Sequence, residues 1–269
     1  MPELPEMRII AEQMARTLRG KEIRAVSIFQ PKCLNRPEAD YHRVLPGKRV
    51  RQVRPLGKWV EIDLTDAARL LISLGMGGEL CSLEQGQSPP EKTRVLTTFT
   101  DGTGFFMTLW WFWYIHLVLD GEDHAMTDSL GPDPLELSAQ EFRALLNRRR
   151  GSVKSLLLNQ KLLRGIGNFY IQEILFKARL HPFHPVPSLS AADANRLHKA
   201  IQDVLTESIR LGSSSYEPDF FGRKGSYGLN RLSFAYQEGA TCPRCGTAAK
   251  KIKTGATTQY ICPTCQKLP

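Results

Sequence analysis

β-type alternation of apolar and polar positions dominates the first 130 residues and gives way to helical spacing after them. Runs at 22–29, 50–56, 59–64, 69–73 and 95–100 read as strands, following an opening helix at 7–18. Turn signals at Leu56-Gly57-Lys58 and Gly75-Met76-Gly77-Gly78 punctuate them, and the set predicts a β-sandwich or barrel. The most apolar stretch, residues 105–119, contains Trp110, Trp111, Phe112 and Trp113. It is shorter than the roughly 20 residues that a membrane-spanning helix needs. His116 interrupts it and Asp120 closes it, so one or two buried strands are expected, with most of these rings as core.

From about residue 134 to 211 the pattern is helical. Ser138-x-x-Glu141 reads as a capping box opening a helix to Arg149, and Ser190-x-x-Asp193 as another before a run to Leu211. Shorter helices are expected at 153–158 and 169–178. Between them, Arg164-Gly165-Ile166-Gly167-Asn168-Phe169-Tyr170 allows close backbone approach, with Asn168 placed to cap the next helix. Glycines before a helix N-terminus make a seat for phosphate, and Arg148, Arg149, Arg150 and Lys154 add positive charge nearby. Ordinary capping explains the same string without a ligand. Gly131-Pro132-Asp133-Pro134 and the Gly/Ser/Tyr-rich loop 213–228 mark the boundaries.

A chain of 269 residues that is 42% hydrophobic builds packed cores and is not disordered. Its net charge of +9 and pI near 9.3 favour a polyanionic partner, nucleic acid ahead of an acidic membrane surface. Glu3 and Glu6 stand where a signal peptide needs a basic start and an apolar run, so a cytoplasmic protein is expected.

Four of six cysteines fall as Cys242-x2-Cys245 and Cys262-x2-Cys265, 16 residues apart. Each pair presents two thiolates from a tight turn, and the residues between form the hairpin that brings the pairs together, which points to one zinc ion. Redox dithiols or disulfides are the alternative, disfavoured in a reducing compartment. Four cysteines leave no open coordination position, so the role is structural. Arg244, Lys250, Lys251, Lys253 and Lys267 give the tail charge suited to phosphates, or a merely solvated basic face. Cys33 and Cys81 are expected to be buried free thiols.

Behind Met1 stands Pro2-Glu3-Leu4-Pro5. Once Met1 is removed, Pro2 is a secondary amine able to attack a sugar C1′ and form an iminium, with the Glu3 carboxylate beside it. A rigid leader is the structural alternative.

Pro2-Glu3-Leu4-Pro5-Glu6, Lys58 after a strand turn, Leu74-Gly75-Met76-Gly77-Gly78, Gly165-Ile166-Gly167-Asn168-Phe169-Tyr170 and the terminal four-cysteine finger occur in one order. In that order the chain resembles the formamidopyrimidine-DNA glycosylase and endonuclease VIII family of bifunctional base-excision enzymes over nearly its whole length. The resemblance implies an α+β multidomain fold. Its parts are an N-terminal β-sandwich catalytic domain at 1–130, a helix–two-turn–helix DNA-binding domain at 131–237 and a zinc finger at 238–269. Damaged double-stranded DNA would lie in the cleft between the lobes of a cytoplasmic, nucleoid-associated monomer that binds no membrane. Pro2 would attack C1′ and expel the base, and Glu3 would protonate or hold the opening sugar, although the adjacent cationic amine opposes a raised carboxyl pKa. Lys58 would contact phosphate and assist β-elimination. Asn168 and Arg150 would grip flanking phosphates, Met76 would fill the gap in the stack, and the loop 220–230 would cover the extruded base.

Two departures from the family pattern stand out. Ala256 occupies the position of the family's hairpin arginine, in a hairpin one residue longer, so its direct phosphate clamp is missing. Where many relatives carry an Arg-Phe wedge, the chain has Trp111-Phe112-Trp113, a stacking surface in place of a guanidinium that reads the opposite base, unless all three rings are core. Both departures predict a shifted lesion spectrum with the Pro2-Glu3-Lys58 chemistry kept. Two other classes compete: a catalytically weakened lesion- or abasic-site-binding protein of the same fold, and a zinc-ribbon RNA or ribosome-associated protein, which leaves the N-terminal motif unexplained.

Overall fold

In the computed structural model, which describes residues 1–108 and 110–269, the chain divides into two units. The first comprises Met1–Asp128 and Gly212–Ser226, the second Ser129–Leu211 and Tyr227–Pro269.

The first unit opens with α1 (Leu4–Leu18) and continues through β1 (Ile23–Ile28), α2 (Glu38–Val44), β2 (Val50–Leu56), β3 (Trp59–Leu64), β4 (Arg69–Ser73), β5 (Glu79–Leu83), β6 (Thr93–Phe99), β7 (Gly104–Thr108) and β8 (Tyr114–Val118). The strands form two antiparallel sheets, ordered β1-β6-β7-β5 and β2-β3-β4-β8. Alternation sets the faces: Val60, Ile62 and Leu64 of β3 join Ile72, Ile115 and Leu117 in a core that also takes Val95, Phe99, Phe105 and Met107 from the other sheet. Met7, Ile10, Met14 and Leu18, at helical spacing, bury one face of α1 in the same core. The expected sandwich is therefore present, and the apolar run 105–119 supplies two strands, β7 and β8. On the opposite face of β3, buried Glu61 accepts from Arg54 at 2.8 Å and Arg69 at 3.2 Å, so its charge is matched.

The second unit contains α3 (Ala139–Leu146), α4 (Val153–Leu158), α5 (Tyr170–Ala178) and α6 (Ala191–Arg210), then the hairpin β9 (Lys250–Thr254) and β10 (Thr257–Ile261). Ser138–Glu141 and Ser190–Asp193 form the expected capping boxes. α3 stops at Leu146, short of Arg149, because Asn147 leaves helical geometry and Arg148 adopts a left-handed φ of +61°. Ile171, Ile174 and Leu175 of α5 pack with Leu197, Ile201 and Leu205 of α6 in the unit's main core.

No helix among the described residues is long and apolar enough to cross a membrane.

Candidate active site and nucleic-acid interface

Pro2 and Glu3 are buried at the start of α1, where Glu3 is the N-cap residue. Its backbone N donates to the Glu6 carboxylate at 2.8 Å, and the other Glu6 oxygen accepts from Ser214 N at 3.1 Å. One buried carboxylate thus pins the first turn of the chain to a segment more than 200 residues away. The Met1 amine lies 3.2 Å from the Glu217 carboxylate, on the same returning segment. The sequence signal for Glu6 is its place three positions after Glu3, the spacing of a capping box.

Lys58 follows Gly57, whose φ of +63° makes the tight turn from β2 to β3. α1 packs on both of these strands, so the amino terminus and the lysine are carried by elements packed against each other. Lys58 is half-buried. The next residue anchors it: Trp59 stacks on Tyr114 with centroids 5.8 Å apart and meets the His124 ring edge-on at 5.5 Å. His116 Nδ1 and His124 Nε2 lie 2.8 Å apart beneath this ring, and burial lowers both imidazole pKa values, that of His116 to about 4.

Met76 and the aromatic run are joined backbone to backbone. Met76 N donates to Trp111 O at 2.9 Å, and Gly75, with a φ of +55°, lies so close that a Cβ there would stand 2.0 Å from that carbonyl. The expectation that most of these rings are core does not hold, because the backbone turns through a left-handed φ of +55° at Phe112. Trp113 is in the core, while Trp110, Trp111 and Phe112 are exposed, as is Met76.

Within the returning segment, Asp219 accepts from Gln13, from Phe221 N and from Arg223, and Phe220 is wholly buried in the sandwich core. Tyr227 is likewise wholly buried, in the core of the second unit. In the loop 220–230, Phe221 to Lys224 and Ser226 are exposed ahead of buried Tyr227.

In the second unit, Arg150 is exposed just before α4 and lines an open concavity of about 660 Å³ with Arg143, Arg148, Arg149 and Ser190. Asn168 is exposed in the turn before α5 but does not cap it. Phe169, already in right-handed helical geometry, holds the cap position, and the Asn168 side chain is left facing outward. Lys154 is buried beneath the finger's hairpin. Its ammonium donates to Thr254 Oγ1 and, at 2.6 Å, to Thr257 Oγ1, and desolvation lowers its pKa.

The Sγ atoms of Cys242, Cys245, Cys262 and Cys265 all lie within 4.8 Å of one another, with pairs at 3.4, 3.5 and 3.9 Å. Tetrahedral zinc with bonds of about 2.3 Å places sulfurs roughly 3.8 Å apart, so the set fits that ion. The Thr247 hydroxyl, 3.3 Å away, and the Thr247 backbone hold the Cys245 thiol down to about 6. The finger is tied to the helices by Gln172, which exchanges two hydrogen bonds with β10, and by Arg244. The Arg244 guanidinium stacks on Phe176 at 4.3 Å and donates to the carbonyls of Phe176 and Lys177, capping α5. It is therefore occupied structurally, whereas Lys250, Lys251 and Lys253 are exposed. Ala256 stands exposed at the tip of the two-residue hairpin turn.

Family profiles match three successive stretches: the formamidopyrimidine-DNA glycosylase N-terminal domain over residues 1–108, its H2TH domain over 130–219, and the zinc finger found in FPG and IleRS over 239–268. The formamidopyrimidine-DNA glycosylase of Pelotomaculum thermopropionicum is 34% identical across the full length of both chains. The chain belongs to the formamidopyrimidine-DNA glycosylase family. The enzyme of that name from Enterococcus faecalis is 31% identical over all of this chain and 98% of its own. Among solved structures, Lactococcus lactis Fpg in complex with DNA containing an abasic site superposes with a TM-score of 0.88 at 25% identity, covering 98% of this chain and 99% of that one. The formamidopyrimidine-DNA glycosylase fold thus extends through sandwich, helical module and four-cysteine finger alike.

Proposed function

We propose that the processed amino terminus of this chain is the reagent that excises damaged bases from DNA. Membership of the formamidopyrimidine-DNA glycosylase family makes the chain a base-excision-repair glycosylase acting on damaged DNA, and abasic-site lyase activity is typical of that family. The residue assignment rests on one observation above all. Pro2 and Glu3 are buried at the head of α1, held by Glu6, on a helix packed against the two strands whose turn carries Lys58.

In this reading Met1 is removed and the Pro2 nitrogen attacks C1′, forming a C–N bond as the glycosidic bond to the base breaks. Glu3 protonates or holds the ring oxygen as the sugar opens to an iminium. The iminium acidifies C2′. Loss of that proton expels the 3′ phosphate by β-elimination, with Lys58 assisting at the phosphate. Met76 and Phe112 enter the stack where the nucleotide leaves, and Arg150 and Asn168 hold phosphates. The exposed arginines of the concavity and the chain's charge of +9 favour that polyanion. One structural zinc ion, held by Cys242, Cys245, Cys262 and Cys265, fixes the finger. The proposed setting is the cytoplasm, on chromosomal DNA, with a single chain acting on each lesion.

Borohydride trapping tests the assignment. The wild type, incubated with an abasic-site duplex and reduced, is expected to yield a permanent protein–DNA adduct whose tryptic fragment begins at Pro2, and Pro2→Gly is expected to lose most of it. A wild type that binds the duplex without any adduct would identify a lesion-binding protein instead.

A further inference from the structure

Trp110, Trp111 and Phe112 stand 74%, 63% and 66% exposed, whereas Trp113 beside them is 9% exposed. Three consecutive aromatic rings in water forgo a large burial energy, and such a surface marks a binding site. Their position is built in. The Met76 N–Trp111 O hydrogen bond, the left-handed Phe112 (φ +55°) and the close approach of Gly75 fix the backbone, and buried Trp113 anchors its far end.

We infer that Trp110 and Trp111 form a stacking platform for unpaired nucleobases, which extends the substrate class to damaged or abasic sites whose complementary strand is missing or mispaired. The inference rests on the DNA-repair reading above and names the form of DNA that this surface takes. Every nucleobase offers a flat π-face, so an indole pair accepts any of them. The run from Trp110 to Tyr114 contains no charged side chain, and no guanidinium is present there to read the edge of an opposite base. Nucleobases are the fitting occupant because they arrive on a polyanion and the chain carries a net charge of +9. A single strand presents its bases already unstacked, while a matched duplex must first be opened.

The test uses the full chain with one abasic-site strand, either alone or annealed with each of the four bases opposite the lesion. Borohydride-trapped adduct is quantified, and anisotropy is measured on a labelled single strand carrying the uncleavable tetrahydrofuran analogue. The expected result is an adduct on the single strand at a rate within about threefold of the duplexes, with the four duplexes similarly close, since stacking is sequence-tolerant. The double variant W110A/W111A is expected to bind the single strand at least about tenfold more weakly, and W110F/W111F to recover most of that loss, because phenyl rings still stack. Unchanged melting of both variants shows the fold intact. Adduct confined to duplexes, or single-strand affinity indifferent to W110A/W111A, overturns the platform. Absence of adduct on every substrate strikes at the Pro2 chemistry instead, and the anisotropy comparison still decides the platform.

Discussion

The Glu6 carboxylate accepts a hydrogen bond from the backbone N of Ser214, 208 residues along the chain, while its second oxygen holds Glu3 N. Both partners are N–H donors, so a glutamine there must set its own amide N–H against one of them. Glu6→Gln is expected to cost about 1–3 kcal/mol. The fall in Tm should be accompanied by slower borohydride trapping, because the turn bearing Pro2 loses its tether. A variant that melts lower yet traps at the wild-type rate would separate stability from positioning and sink the second half of this expectation.

Acid should loosen the packing behind Lys58. Burial, reinforced by neighbouring His124, pushes His116 down to about 4 from an ordinary 6.5. The folded chain keeps this ring neutral while the unfolded chain takes up a proton below about 6.5, so stability is complete above that pH and declines as pH falls toward 4. The gap corresponds to roughly 3 kcal/mol at its acid end. Urea unfolding at pH 7, 6 and 5 checks it: His116→Phe should lose less stability per pH step than the wild type. Parallel slopes for the two proteins would contradict it.

Placing a guanidinium on the hairpin should tighten DNA binding. Ala256 is exposed at the tip between Thr254 and Thr257, so a long side chain there meets no steric obstacle from the core. Ala256→Arg is expected to add one charge-assisted phosphate contact, about 1.5–3 kcal/mol, and to steepen the dependence of log K on log salt by about one. Titrations at several salt concentrations read both quantities. A gain in affinity with an unchanged salt slope would mean that the new side chain binds something other than phosphate.

Zinc removal should be felt beyond the finger. The finger's small core shares Phe176 and Phe234 with the helical module, and Arg244 caps α5. Metal analysis should find one zinc per chain, and chelation or Cys245→Ser should weaken DNA binding and reduce the near-ultraviolet dichroism of the packed aromatic rings, with the far-ultraviolet strand signal largely kept. Zinc loss without change in either property would leave the finger an independent appendage.

What was legible in the sequence was what local spacing encodes. The bounds of β2, β3, β4 and α4, both capping boxes and the four-cysteine hairpin follow from alternation, Ser-x-x-acid patterns and ligand spacing within one stretch of chain. Elements with weak periodicity escaped: α2 is barely two turns long, and β5 is a short edge strand. The aromatic run was opaque because neighbouring tryptophans part at the left-handed turn at Phe112, which composition does not encode. Arg244 looked like a phosphate contact because its fork suits any oxygen pair, and here the pair is two backbone carbonyls. The Glu6–Ser214 bond leaves no local trace at all, since its partners meet only in the finished fold.

The return of Gly212–Ser226 to the first unit makes the chain cross between units three times, after Asp128, Leu211 and Ser226. Neither unit is then a contiguous stretch of gene. A recombination that exchanged everything downstream of Asp128 would also exchange Phe220, which fills the sandwich core, and the Phe220 N and Asp219 carboxylate to which Gln13 bonds. Hybrids between relatives spliced at that point inherit mismatched halves of one interior, so natural or engineered chimeras should survive only when residues 212–226 travel with the amino-terminal parent.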